Sequence, residues 1–348
     1  MSKSAAGNKG LIVGIIGVGL QGGRRAPVLR QFPNTELVMV ADIRTEPAKR
    51  LAGDFGCTST ERWEEIIERP DINAVIVCTP PHLHAPMSIA AMNAGKHVLC
   101  EKPLARTMKE AEDMLAAAKA NRVTLKCGFN HRHHPAIKKA KEWVDAGVIG
   151  EPDFFRCVYG IGGRPGYEKE WRADPKIVSG GQLMEQGIHA IDLFRWFLGD
   201  FTEVTGFTST RFWKIVPLED NAFALFRTAK GQVASLHSSL TQWKNQFTLE
   251  LFGQDGYITI EGLGGSYGAE KITLGKRAFS EPFRDETTEF RGGDISWHDE
   301  WQEFAAAIAE KREPSGNGTD GLEALRLVNA VYESARRGAT VKLKKLRE

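Results

Sequence analysis

Cysteine is scarce and unpaired in pattern: Cys57, Cys78, Cys100, Cys127 and Cys157 are spread over 348 residues without a C-x-x-C spacing. An odd, scattered set supports neither a disulfide framework nor a zinc ribbon, and it suits reduced thiols in a cytoplasmic protein. Long apolar runs are missing too. Residues 11–18 are too few to span a membrane and are broken by glycine; residues 1–10 hold no apolar run of the kind a secretory signal needs. Net charge is almost absent, +2 from 46 basic and 44 acidic residues, so nucleic acid is not an expected partner. The short basic end, Lys342, Lys344, Lys345 and Arg347, reads as a solvated terminus or an edge strand. Neither repeats nor low-complexity segments appear. What remains is ordinary globular composition, 42% hydrophobic and 26% charged, at a length that suggests two domains.

The chemically densest stretch is GGQLMEQGIHAID, residues 180–192. Gly180 and Gly181 make a flexible entry, after which Met184, Ile188, Ile191, Phe194 and Leu198 recur at helical spacing. Gly199 then stands where a helix end needs a left-handed residue. Glu185, His189 and Asp192 fall at i, i+4 and i+7, on one stripe beside the apolar seam. A carboxylate one turn from an imidazole can orient the ring and favour its charged form, as a general base requires. A polar cluster tying the helix to its neighbours is the equal alternative at this point.

Near the start, residues 11–16 read as a buried strand, and Gly17-Val18-Gly19-Leu20-Gln21-Gly22 follows at once. This is G-x-G-x-x-G between a strand and a helical stretch at 24–31. Its glycines permit a tight turn, close approach of a pyrophosphate and close helix packing, with helix amides facing the phosphates. A second strand, 36–40, ends at Asp42, twenty residues beyond Gly22, where an acid binds ribose hydroxyls. Arg44 is two residues on and softens the preference for NAD over NADP that Asp42 sets. Further strands at 74–78, 97–100 and 124–127 alternate with helices, which predicts a doubly wound parallel sheet. Three polar clusters follow these strands at the edge where such sheets bind ligands. They hold Thr79, Pro80, His82 and His84; Glu101 and Lys102; and Asn130, His131 and Arg132.

Together GIIGVGLQG, TPPHLHA, GKHVLCEKPLA, GFNHR and WRADP…SGGQLMEQGIHAID resemble the glucose–fructose oxidoreductase, inositol dehydrogenase and rhizopine-catabolism (Gfo/Idh/MocA) family, over most of residues 10–200. The resemblance implies hydride transfer between a nicotinamide and a sugar, polyol or related substrate. It also implies a C-terminal α/β domain with a large, mostly antiparallel open sheet that usually mediates assembly into a homodimer or homotetramer. Strand-like runs between 154 and 260, several joined by short Gly-containing turns, agree with that on their own terms. Helices are expected at 299–310 and 321–337. The expected division is 1–130, binding NAD, and 131–348, binding substrate.

Family members use the lysine matching Lys102 beside the nicotinamide and substrate hydroxyl, and His189 matches the family's histidine. Glu185 departs from the pattern, where aspartate is common, and adds a methylene of reach. The expected catalytic set is therefore Lys102, Glu185 and His189. Expected cofactor residues are Gly17, Gly19, Leu20, Gln21, Gly22, Asp42, Arg44, Thr79, Pro80, His82, His84, Glu101 and Lys102. The resemblance puts the turn with His82 and His84 against the nicotinamide and implies a cis Lys102–Pro103 bond. Lys102, Asn130, Arg132, Arg164, Tyr167, Trp171, Arg172, Glu185 and His189 are candidates for substrate contact. Aromatic faces suit a sugar ring, and arginines suit an anionic group. His131, His133 and His134 lack standard zinc spacing, so no metal is expected. Two other outcomes stay open: redox-neutral cleavage of a glycoside through transient oxidation by held NAD, and a cofactor-binding sensor without turnover.

Overall fold

The computed structural model describes residues 10–282 and 284–344. They form two compact units, 10–128 together with 297–321, and 129–296 together with 322–344. The first unit thus takes in a stretch from far along the chain.

In the first unit the elements alternate in order: β1 (Leu11–Ile16), α1 (Leu20–Leu29), β2 (Thr35–Ala41), α2 (Thr45–Phe55), β3 (Thr58–Thr60), α3 (Glu64–Glu68), β4 (Ala74–Val77), α4 (His84–Asn93), β5 (His97–Cys100), α5 (Met108–Asn121) and β6 (Leu125–Cys127). All six strands pair in parallel in the order β3-β2-β1-β4-β5-β6. This is the doubly wound arrangement that alternating apolar strands and helices predicted. Val13, Ile15, Ile76 and Leu99 fill its core with Ala26 and Leu29 of α1. Trp301 and Phe304 of the later helix 296–310 complete the same core, and the Trp301 indole donates to Thr35 Oγ1 at 3.3 Å. α5 begins with a capping box, Thr107 and Glu110 each binding the other's backbone amide, which ends the polar loop after β5 cleanly.

The second unit holds α6 (Pro135–Asp145), β7 (Pro152–Gly160), α7 (Ile188–Leu198), β8 (Phe201–Ser209), β9 (Asn221–Thr228), β10 (Val233–Ser239), β11 (Gln246–Gly253), β12 (Gly256–Glu261), β13 (Glu270–Lys276) and β14 (Asp285–Phe290). After these come α8 (Ser296–Glu310), α9 (Gly318–Arg337), which begins in the first unit, and β15 (Val341–Lys342). Nine strands form one sheet in the order β14-β13-β12-β11-β7-β10-β9-β8-β15, antiparallel except for the β7–β10 pair. α6 lies on β12 and β13, and α7 on β7 and β10. The period of two is plain in β9: Ala222, Ala224 and Phe226 are buried while Phe223 and Leu225 are exposed. β15 is an edge strand, one of the two readings of the basic end, and it takes in Lys342; Lys345 and Arg347 lie outside the described residues.

One local expectation is corrected. The stretch before α7 is not α-helical: Leu183–Gly187 forms a π-helical turn, and α7 starts only at Ile188. Glu185 therefore sits inside a wide turn and His189 on the first turn of α7, so they are not successive rungs of one α-helical stripe. His189 and Asp192 keep their i, i+3 relation. At the far end Gly199 closes α7 with φ 81°.

Candidate active site

In the first unit the fingerprint turn has the geometry a dinucleotide needs. Gly17 lies at φ +92°, a conformation that side chains rarely adopt, and a Cβ there would stand 2.8 Å from the Cys78 carbonyl. At Gly22 a Cβ would collide with the carbonyl oxygen of Gly17, so helix and turn can approach this closely only without one. Gly19 precedes α1 with no side-chain cap, leaving the first amides of a ten-residue helix to face an anion. Leu20 and Gln21 open that helix, and Leu20 is exposed.

Asp42 follows β2 and gathers donors. Its Oδ2 accepts from the Val18 amide at 2.9 Å, and its Oδ1 from the Arg44 amide at 2.9 Å. The Arg44 guanidinium folds back onto both oxygens at 3.1 and 3.0 Å. Burial pushes the carboxyl up, yet these donors, the Arg44 side chain first, hold it below the ordinary carboxylate range. It is an anion beside the turn, placed to accept from ribose hydroxyls.

Three buried polar atoms here have no hydrogen-bond partner among the described residues: Gln21 Oε1, Thr79 Oγ1 and His82 Nδ1. Buried polar groups are normally paired, and a dinucleotide bound at this carboxyl edge would offer partners to such atoms. The glycine cradle, the uncapped helix, Asp42 and these atoms all fit NAD.

His84 and Glu101 sit differently. His84 is buried as a strut, with Nδ1 2.8 Å from the Pro103 carbonyl and Nε2 2.8 Å from that of Thr79. It ties the turn containing Thr79 and Pro80 to the turn containing Lys102. Burial lowers its pKa against the pull of the two carbonyls. Glu101 is buried and accepts from Arg25 Nε at 2.8 Å, while Arg25 Nη1 reaches Glu300 of α8 at 2.9 Å. Lys126 lies 3.8 Å from Glu300 and donates to the Ser315 carbonyl. Burial opposes the Arg25 charge, but Glu101 and Glu300 outweigh it and raise its pKa. Lys102 itself is half-buried directly after this anchor, and its bond to Pro103 is cis, as the resemblance implied. Arg25 and Glu300 were missed in the sequence because neither belongs to a motif.

The second unit carries the other expected residues. His189 is buried, its ring stacked on His131 at 3.8 Å between centroids and 18° between planes, with Phe129 edge-on at 6.0 Å. Asn130 donates from Nδ2 to Ser296 Oγ at 2.9 Å, which turns its Oδ1 toward His131 Nδ1 at 3.2 Å. His131 Nε2 is 3.0 Å from the Tyr159 hydroxyl, whose own pKa burial holds well up. His134 faces Glu270 instead, at 3.1 Å. The three nearby histidines thus do not all converge on one centre.

Arginines end on carboxylates. Arg132 binds Asp192 through Nε and Nη2 at 2.8 and 2.6 Å, both residues buried. Arg164 grips Glu170 with two bonds of 2.6 Å. Arg172 donates to Glu185 Oε1 at 3.2 Å, lies 3.8 Å from Glu170, and stacks on Trp171 at 4.3 Å. Arg164, Glu170, Arg172 and Glu185 therefore form one alternating chain. Tyr167 is a core side chain, buried with Val178, Ile215, Leu218 and Leu240.

Residues 11–129 match the family described as "Oxidoreductase family, NAD-binding Rossmann fold", and residues 137–259 match its GFO/IDH/MocA C-terminal domain. The chain belongs to the Gfo/Idh/MocA oxidoreductase family. It is an NAD-binding enzyme of a family of sugar and polyol dehydrogenases. A levoglucosan dehydrogenase of Pseudarthrobacter phenanthrenivorans is 29% identical over 85% of this chain and 87% of that one. An inositol 2-dehydrogenase of Rubrobacter xylanophilus is 27% identical over 97% and 94%. Among solved structures, levoglucosan dehydrogenase in complex with NADH and levoglucosan superposes with a TM-score of 0.86 at 28% identity, covering 97% of this chain and 100% of that one. Among the described residues no helix is long and apolar enough to cross a membrane.

Proposed function

We propose that the protein oxidises a hydroxyl of a neutral sugar, polyol or sugar derivative, with NAD preferred over NADP. The observation that carries this reading is the place of Lys102. It follows β5 on the same carboxyl edge of one parallel sheet as the glycine cradle after β1, the edge at which such sheets hold dinucleotides. Bound there, the nicotinamide supplies the hydride acceptor. His189 takes the hydroxyl proton as the carbinol C–H bond gives up its hydride, and Lys102 orients the oxygen and stabilises its developing charge. In the reverse direction His189 returns the proton.

The charge pattern supports a neutral substrate. Arg132, Arg164 and Arg172 were candidates for an anionic group, but each already faces a carboxylate. The carboxylates offset the positive charge of these arginines and so weaken their pull on a sugar phosphate or carboxylate. Hydroxyls can share such pairs without displacing them. Asp42 supports NAD, since its charge repels a 2′-phosphate.

The test is a pair of variants. Lys102→Met and His189→Ala are each expected to lower turnover about 100-fold or more while leaving NADH affinity within about twofold. Near-wild-type turnover in either, with the fold intact, removes that residue from the mechanism.

We further propose assembly into a homodimer or homotetramer through the nine-stranded sheet. Phe207, Phe223 and Leu225 are exposed on it, Phe207 pairs with Phe223 across β8 and β9, and His237 stacks on Phe223 at 4.1 Å. An apolar row of this kind favours a covering partner. Phe207→Glu with Phe223→Glu should shift the sedimenting mass to the monomer; an unchanged mass would exclude this face. The scattered cysteines suit a reducing cytoplasm.

A further inference from the structure

We infer that Glu219, which lies outside every motif, is the positioning residue that sets the π-helical turn and through it the stance of Glu185 and His189. The geometry stands by itself; the kinetic consequence rests on the oxidoreductase reading above.

A helix begins with amides that have no partner inside it, and a preceding Ser, Thr, Asp or Asn side chain commonly accepts from one of them. The turn at Leu183–Gly187 has no such cap. Its entry amides go instead to one residue more than thirty positions later in the chain. The Gly181 amide donates to Glu219 Oε2 at 2.9 Å, and the Leu183 amide donates to Oε1 at 2.9 Å. Between them, the Gln182 amide donates to the Glu219 backbone carbonyl at 3.2 Å. Three consecutive amides are thus bound by one residue.

Glu219 is held in turn. Tyr332 of α9 donates its hydroxyl to Oε1 at 3.0 Å. From the other side Ser238 of β10 donates to the Gln182 carbonyl at 3.2 Å. The Gly181 and Leu183 amides and the Tyr332 hydroxyl all donate to the carboxylate, an arrangement that suits the anion even though burial pushes its pKa up.

The two glycines now have a different reason from a flexible entry. At Gly181 a Cβ would collide with the Glu219 carbonyl oxygen, and at Gly180 with the Tyr332 hydroxyl. They are small so that the clamp can close. A π turn is uncommon and persists where its surroundings over-determine it. Here the surroundings are Glu219, Tyr332 and Ser238.

The experiment uses the full-length protein with NADH bound. Glu219→Gln replaces an acceptor by a donor facing a backbone amide. Hydrogen exchange at Gly181 and Leu183 should accelerate about tenfold or more. Turnover should fall about tenfold with KM within about twofold, and the primary deuterium isotope effect on turnover should rise as the chemical step becomes limiting. Loss of active enzyme alone would not change that isotope effect. Tyr332→Phe should move each quantity the same way by less, and it decides the matter if Glu219→Gln does not fold. Unchanged exchange at these amides, or lost turnover with an unchanged isotope effect, overturns the assignment. If the wild type oxidises no sugar, the proposed reaction fails, while the exchange result still decides the clamp.

Discussion

Glu185 accepts a hydrogen bond from Arg172, Nε to Oε1 at 3.2 Å, so the carboxylate expected to serve an imidazole is also held by a guanidinium. The extra methylene relative to aspartate gives the side chain reach for that bond. Glu185→Asp should draw the carboxylate back from Arg172 and lower turnover about three- to tenfold. Glu185→Gln keeps an oxygen for Arg172 and should cost less than about tenfold. A loss approaching that of His189→Ala would instead make Glu185 a carrier of the proton. Steady-state turnover of both variants distinguishes the outcomes.

Cofactor choice is expected to follow Asp42. Asp42→Ala removes the anion and frees Arg44, now folded on it, to meet a 2′-phosphate. The ratio of kcat/KM for NAD over NADP should fall at least tenfold, about 1.4 kcal/mol of discrimination. An unchanged ratio would place the ribose determinant elsewhere.

Arg25→Met tests the buried anchor behind Lys102. It leaves Glu101 and Glu300 buried without their shared guanidinium, and breaking a buried pair from one side costs about 3–5 kcal/mol. The denaturant midpoint should fall accordingly, and the additional change Glu300→Gln should restore part of it. An unaltered midpoint would show that the network adds nothing to stability.

His84 gives an acid-side signature. Burial lowers its pKa in the folded protein, so the folded state binds fewer protons there than the unfolded chain. Its contribution is complete above the unfolded value, about 6.5, and is lost as pH falls below it. His97 and His237 share this direction, so the quantity to measure is a difference. The unfolding free energy of wild type should drop more between pH 7 and pH 5 than that of His84→Gln. Parallel slopes would contradict the strut.

Much of this was readable in the sequence where the physics is local. The strand, the spaced glycines and Asp42 announce the cradle because turn geometry and phosphate approach demand those residues in that order. β9 announced itself by alternation. β14 did not: Asp285–Phe290 is polar and almost wholly exposed, so it has no apolar period to show. The α-helical stripe was misjudged because the donors and acceptors that widen the turn, Glu219 and Ser238, come from distant strands and turns. The same holds for Arg25, whose partners arrive from β5 and α8, and for His84, whose bracing of two carbonyls no motif announces. Spacing reveals what a residue can do; long-range partners decide which of its options is used.

The most direct test of the central claim is net NADH formation by the purified protein with NAD and a panel of free sugars and polyols, beside the same panel as glycosides. Stoichiometric NADH with oxidised sugar, lost in Lys102→Met and His189→Ala, is the predicted result. Glycoside cleavage without net NADH, or NADH binding with no turnover of any member of the panel, would contradict it.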